Sequence, residues 1–173
     1  LNYEDVRART FALLVRATDG GGQSTTGAVT VLVTDANEAP FFTDATMTRS
    51  IDEYTSSSQR SVGELIGAPI GATDPDVNWP TSQTVTYTIT AATGNALSFF
   101  SIVANGTGAG QLSLTAAGAA VAALDFETTP SYTLTVRIAD NLGAATTGSV
   151  TINVRNRNER SEERRVGKEC LRL

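Results

Sequence analysis

The residues of this sequence best suited to chemistry are oxygen-bearing side chains gathered into short stretches. The tightest is Asp35-Ala36-Asn37-Glu38, followed by Ala39-Pro40. Two acids and an amide within four residues are hard oxygen ligands of the kind calcium prefers, an ion that takes about six to eight of them. Proline and the short polar residues also stop a strand here, so 35–40 reads as a stiff linker between domains. A near copy, Asn156-Arg157-Asn158-Glu159, closes the next segment. Hard ligands in a linker that recurs at domain spacing point to tandem modules clipped together by calcium.

The elements that must position these groups are strands. The chain has 173 residues, 40% apolar and only 6% aromatic, so its core is built from Val, Ile, Leu and Ala. Abundant Thr, Ser and Gly and the absence of helix-favouring charged runs tilt the class to all-β. No apolar run approaches the roughly 20 residues that span a bilayer. The chain opens on Leu1 inside a motif with no leader, and so reads as a fragment.

Residues 160–173 abandon this composition abruptly, and Arg160 to Cys170 resembles the translation of a sequencing adapter; the segment reads as a non-native tail. It holds five of the 13 basic and three of the 18 acidic residues, together with Lys168 and Cys170. The body keeps eight basic and 15 acidic residues, a net charge of −7, with no Lys, His or Cys. Such a body disfavours nucleic acid, excludes zinc sites built on His or Cys, cannot be stapled by disulfides and favours hard divalent cations.

Residues 1–34 carry two alternating runs, around Phe11, Leu13 and Val15 and around Val29, Val31 and Val33, joined by Asp19-Gly20-Gly21-Gly22. They read as a hairpin, marginal alone, closing a domain whose beginning is absent. Between 41 and 159 seven strands are expected: 46–51, 63–72, 84–91, 99–103, 111–115, 132–139 and 148–154. Turn residues such as Asp74-Pro75-Asp76 and Asn105-Gly106 separate them. This pattern predicts a seven-stranded Greek-key β-sandwich of immunoglobulin-like type. Ala116–Ala123 has the composition for a helical turn but is too short for an independent helix.

An internal repeat supports the division. Phe11–Asp19 (FALLVRATD) returns as Tyr132–Asp140 (YTLTVRIAD), and Val29–Glu38 returns as Val150–Glu159, both at an offset of 121 residues. Leu1-Asn2-Tyr3-Glu4 returns as Leu124-Asp125-Phe126-Glu127. Repeats of this length are tandem domains, not solenoid units.

Taken in order, Ile51-Asp52-Glu53, Asp74-Pro75-Asp76, Leu124-Asp125-Phe126-Glu127, Ala139-Asp140 and the terminal Asn-x-Asn-Glu resemble the motifs of the cadherin repeat. The resemblance covers 41–159 as one complete repeat, and 1–34 with linker 35–40 as the end of a preceding one. It implies calcium ligands Asn2 and Glu4 at the base of the first unit, Asp35, Asn37 and Glu38 in the linker, and Asp74, Asp76 and Asp140 at the top of the second. Of these, Asn37, Asp74, Asp76 and Asp140 are expected to form the most complete site. At the far end it implies Glu53, Asp125 and Glu127. There Asn156 stands where the family has Asp, and Arg155 and Arg157 bring positive charge, so calcium is expected to bind weakly there or not at all. Asn2 in place of Asp and Glu38 in place of the linker Asp are further departures.

Each acid also has an ordinary explanation, since Asp and Pro favour turns and an acid at a strand end is usually solvated. Trp79 reads as packing over its loop, because adhesive tryptophans in the family lie near a domain's N-terminus. No Ser has a base in a recognisable arrangement, the Gly runs lie in hairpin loops, and an enzyme is not expected. Asp125 and Glu127 resemble a glycosidase acid pair, but the repeat motif explains them better. The resemblance implies a calcium-dependent adhesion module with homophilic or heterophilic partners, flanked by further repeats. Its parent protein would be anchored at the extracellular face of the plasma membrane. The alternatives are a structural spacer or carbohydrate-binding module of a secreted or microbial surface protein, and a sandwich that has lost calcium.

Overall fold

The computed structural model describes residues 1–77 and 83–158. Trp79, Glu159 and the segment 160–173 lie outside the described residues, and with them the expectations about the Trp79 loop and the tail. A short 3-10 turn, Val6–Ala8, leads into a hairpin of β1 (Thr10–Thr18) and β2 (Ser24–Leu32). The body then runs through β3 (Phe41–Phe42), β4 (Thr48–Asp52), β5 (Leu65–Ile66), β6 (Ala72–Thr73) and β7 (Thr86–Ala92). A one-turn helix α1 (Ala96–Phe99) precedes β8 (Phe100–Ile102), β9 (Leu112–Leu114), β10 (Ser131–Ala139) and β11 (Ala145–Arg155). No helix of the described residues is long and apolar enough to cross a membrane.

The body is a two-sheet sandwich of the class that the strand spacing predicts. One sheet has the order β4-β11-β10-β7 and the other β5-β9-β8, while β3 and β6 form a separate short pair. The chain thus pairs first with β6 and then crosses to lie parallel to β11. Alternation along β10 buries Tyr132, Leu134, Val136 and Ile138, and on β11 Val150, Ile152 and Val154 meet them on the same face. Ile66, Leu112, Leu114 and Phe100 close the core from the second sheet. Phe99, Phe100 and Tyr132 pack edge to face with centroids 5.5–6.5 Å apart.

Two expectations need correction. The segment 63–72 is not one strand: Gly67, at φ +62°, and Pro69 break it into β5, which pairs with β9, and β6, which pairs with β3. One stretch therefore serves two sheets, a switch that alternation alone does not reveal. Ala116–Ala123 forms successive turns, and the single helical turn lies instead at α1. Gly110 marks another constraint. At φ +79° it packs so closely on Ile70 that an added Cβ would lie 2.4 Å from the Ile70 carbonyl oxygen.

The hairpin repeats the closing hairpin of the body, with Leu13 opposite Val29 as Leu134 is opposite Val150. What differs is the covering layer. Leu13 and Val29 are 50% and 45% exposed, whereas Leu134 and Val150 are fully buried.

Candidate metal centre

Three segments converge at the top of the body. Pairing of Phe41 with Thr73 lays the linker antiparallel to the start of Asp74-Pro75-Asp76. Glu38 accordingly donates its backbone N–H to Asp76 Oδ2 at 3.0 Å. Asp76 donates its own N–H to Asp74 Oδ1 at 2.9 Å, which folds the two acids across Pro75 onto one face. Asp140 enters from the β10–β11 turn, where the N–H groups of Leu142 and Gly143 fix its Oδ1. A fourth, N-terminal segment is pinned at the base of the hairpin, where Arg9 donates to the Tyr3 carbonyl at 2.6 Å and stacks over the Tyr3 ring. That clamp brings Glu4 beside the linker. Carboxylate oxygens of Glu4, Glu38 and Asp76 lie within 4.8 Å of one another.

Several carboxylate oxygens at and around this junction are short of donors. Glu4 Oε1, Asp35 Oδ1, Asp74 Oδ2 and Asp76 Oδ1 are all buried and have no hydrogen-bond partner. Asp74 and Asp76 are only 2% and 1% exposed. A buried carboxylate oxygen without a donor is costly unless a cation faces it. Burial raises the Asp74 carboxyl above its ordinary range; the Asp76 N–H opposes this, and the charges of Asp76 and Asp140 add to it. Glu38 is raised too, by desolvation first and then by Glu4 and Asp76. Asp140 goes the other way. Burial works against its charge, but the Asn37 amide and the turn N–H groups outweigh it and lower the carboxyl. Four acids, Asp35 in the linker with Glu4 before it and Asp74 and Asp76 after it, each carry an orphaned oxygen, and such a set fits a hard divalent cation.

The remaining expected ligands fall into place unequally. Asn37 donates Nδ2 to Asp140 Oδ2 at 2.7 Å, and its Oδ1 accepts from Gln83 Nε2 at 2.7 Å. Its donor end thus faces the acids, and its amide must turn over to offer oxygen to a cation. Gln83, buried with an orphaned Oε1, is a neighbour that sequence reasoning missed. It carries no motif, and only the fold brings it to the linker. Asn2 accepts the Glu4 N–H at 3.3 Å in a local turn at the exposed edge.

The far end is built differently. Carboxylate oxygens of Glu53, Asp125 and Glu127 also lie within 4.8 Å of one another. Glu53 accepts N–H groups from Phe126 and Arg157, and Asp125 accepts from Glu127 N and from Thr128 N and Oγ1. Glu127 accepts from Asn156 Nδ2 at 2.6 Å. The Thr128 hydroxyl leads the groups that lower the Asp125 carboxyl. Beside them, burial penalises charge on Asp52, but Arg157 and Arg155 outweigh it and hold the carboxyl low.

A two-sheet sandwich entered through an acidic linker is the architecture of cadherin ectodomains, and comparison with known proteins agrees. No family model matches the chain. It is 34% identical over 165 residues to the Protocadherin-like wing polarity protein stan of Drosophila melanogaster, an alignment covering 92% of this chain. The chain spans 4% of that relative's length. The protocadherin GammaB4 extracellular domain superposes with a TM-score of 0.58 at 25% identity, over 92% of this chain and 23% of that one. The human desmocollin-1 ectodomain gives 0.56 at 23% identity over 90% of this chain and 27% of that one. For chicken VE-cadherin EC1-2 the TM-score is 0.52 at 24% identity, over 90% and 70%. The chain carries a cadherin-like domain.

Proposed function

We propose that this module binds calcium at its first linker and that the bound ion fixes the direction of one repeat relative to the next. In this reading 1–34 is the closing hairpin of a preceding repeat, 35–40 the linker and 41–159 a complete repeat of a tandem array. The relationship to cadherin ectodomains implies an extracellular or cell-surface location, and we place the parent protein at the plasma membrane as an adhesion protein. The module's part in adhesion is then mechanical: it holds successive repeats in line so that a distal region meets its homophilic or heterophilic partner.

One observation carries the reading. Folding buries carboxylate oxygens of Glu4, Asp35, Asp74 and Asp76, before, within and after the linker, without giving them donors. Neutral turns have no use for such an arrangement. Calcium would be held by Glu4, Asp35, Glu38, Asp74, Asp76 and Asp140, with Asn37 joining once its amide turns, and would supply the missing positive charge. Asn2 is the outermost contributor. The test is thermal unfolding of the chain in chelator and then across a calcium titration, with magnesium as control. A melting temperature that climbs with calcium and far less with magnesium supports the reading, because a ligand that binds only the native state stabilises it. A flat response reduces the acids to turn residues and makes the module a passive spacer.

A further inference from the structure

We infer that the far end of the sandwich is closed by arginine in place of a metal ion: Arg155 and Arg157 clamp Asp52 beside Glu53, so this end is fixed without divalent cations. The placement follows from the backbone. β4 and β11 run parallel with Asp52 paired to Arg155, and Glu53 donates its N–H to the Arg155 carbonyl at 3.1 Å. Residues two apart on an extended chain share a side, so Arg157 follows Arg155 onto the edge that carries Asp52. Arg155 Nε lies 2.7 Å from Asp52 Oδ1, and the Arg157 guanidinium takes Oδ2. The Arg157 N–H caps Glu53 Oε1, while Phe126 N–H caps Oε2 at 2.8 Å.

The internal repeat shows what has been exchanged. At the offset of 121 residues, Thr34, Asp35 and Ala36 of the first linker correspond to Arg155, Asn156 and Arg157 of the second. Two neutral residues become cations and one acid becomes an amide, which makes these three positions three charges more positive. The consequence is visible in the hydrogen bonds. The first linker leaves four buried carboxylate oxygens without donors, and none of those belongs to Asp52, Glu53, Asp125 or Glu127. A divalent cation at the far end would face two guanidinium groups and would have to displace the Arg157 and Asn156 donors. The ligand set that the cadherin pattern implies there does not fit a metal.

The test uses the full chain labelled with nitrogen-15. Calcium chloride is titrated in while the amides of Glu38 and Asp76 are compared with those of Phe126, Glu127 and Arg157. The far-end amides should hold their positions at calcium concentrations that saturate any change at the first linker. If they shift over the same range as Glu38 and Asp76, the inference is wrong and the far end is an ordinary metal site. Should no amide respond, the first-linker reading fails while the metal-free far end is supported. A second arm tests the clamp itself. R155Q/R157Q should lower the melting temperature by on the order of 3 °C, equally in chelator and in calcium, and D52N on that background should recover most of the loss. No loss, or a loss that calcium reverses, would overturn the clamp.

Discussion

The first linker holds Asp74 in a state that water would not choose. Its Oδ1 is bonded to the Asp76 N–H, but Oδ2 is buried and bare. Replacing Asp74 by Asn keeps an acceptor for that N–H and removes the charge. In chelator D74N should therefore melt at the wild-type temperature or a few degrees above it, and the rise produced by calcium should be mostly lost. A D74N chain that melts lower by the same amount in both conditions would make Asp74 a turn residue only. The same charges set the pH response. A carboxyl whose folded pKa is raised, as for Asp74 and Glu38, contributes stability that is complete below its unfolded pKa and is lost as pH rises through the folded value. Without metal these two groups favour acid. Calcium needs them ionised, so the gap between melting temperatures in calcium and in chelator should narrow as pH falls from 7 toward about 4. Asp140, with its lowered carboxyl, has the opposite sign: its contribution is present above the unfolded pKa and is lost only as pH falls through its folded value. A gap independent of pH over this range would separate the calcium response from these carboxyls.

The two copies of one hairpin provide an internal control at the scale of the element. Sequence pattern, register and turn length are alike, yet Leu134 is buried and Leu13 faces solvent. Truncating a fully buried Leu removes transfer energy and leaves a cavity, so L134A should cost about 2–5 kcal/mol. L13A should cost less than about 0.5 kcal/mol. Urea unfolding of the full chain measures both, and similar losses would mean that the first hairpin has found cover in solution. The comparison also shows what the sequence could reveal. Long strands such as β10 and β11 announce themselves because four or five alternations fit in them, and the acids of the first linker stand out because they cluster. β3, β5 and β6 have two residues each, too few for a period, and their partners depend on where Gly67 and Pro69 turn the chain. Gln83 and the clamp on Asp52 were illegible for a related reason. Each depends on which segment lies beside which, and contacts between residues 46 positions apart, as for Gln83 and Asn37, or 105 apart, as for Asp52 and Arg157, leave no local trace.

For the whole molecule, the question is what couples the hairpin unit to the body. Among the described residues the connections include the covalent linker, the Glu38 N–H on Asp76, and Asn37 bridging Asp140 and Gln83. Against them stands the mutual repulsion of Glu4, Glu38 and Asp76, whose carboxylate oxygens lie within 4.8 Å of one another. On the proposed calcium clip, a cation would convert that repulsion into attraction toward a shared centre, and would do so only while both sides are docked. Opening of the junction then requires releasing the ion. Calcium at about 100 times its Kd adds roughly 2.7 kcal/mol to such an opening, or about 100-fold in hydrogen-exchange protection. The Glu38 amide, bonded across the junction, should gain protection of that order. Amides within β1 and β2, whose bonds lie inside the hairpin and whose exposed faces let it fray by itself, should gain little. This gradient separates a clip from general stabilisation: an ion that merely tightened the sandwich would protect β10 and β11 and leave Glu38 as open as before. A junction whose protection ignores calcium would leave the two units joined by chain alone, and the module could then space its neighbours but not aim them.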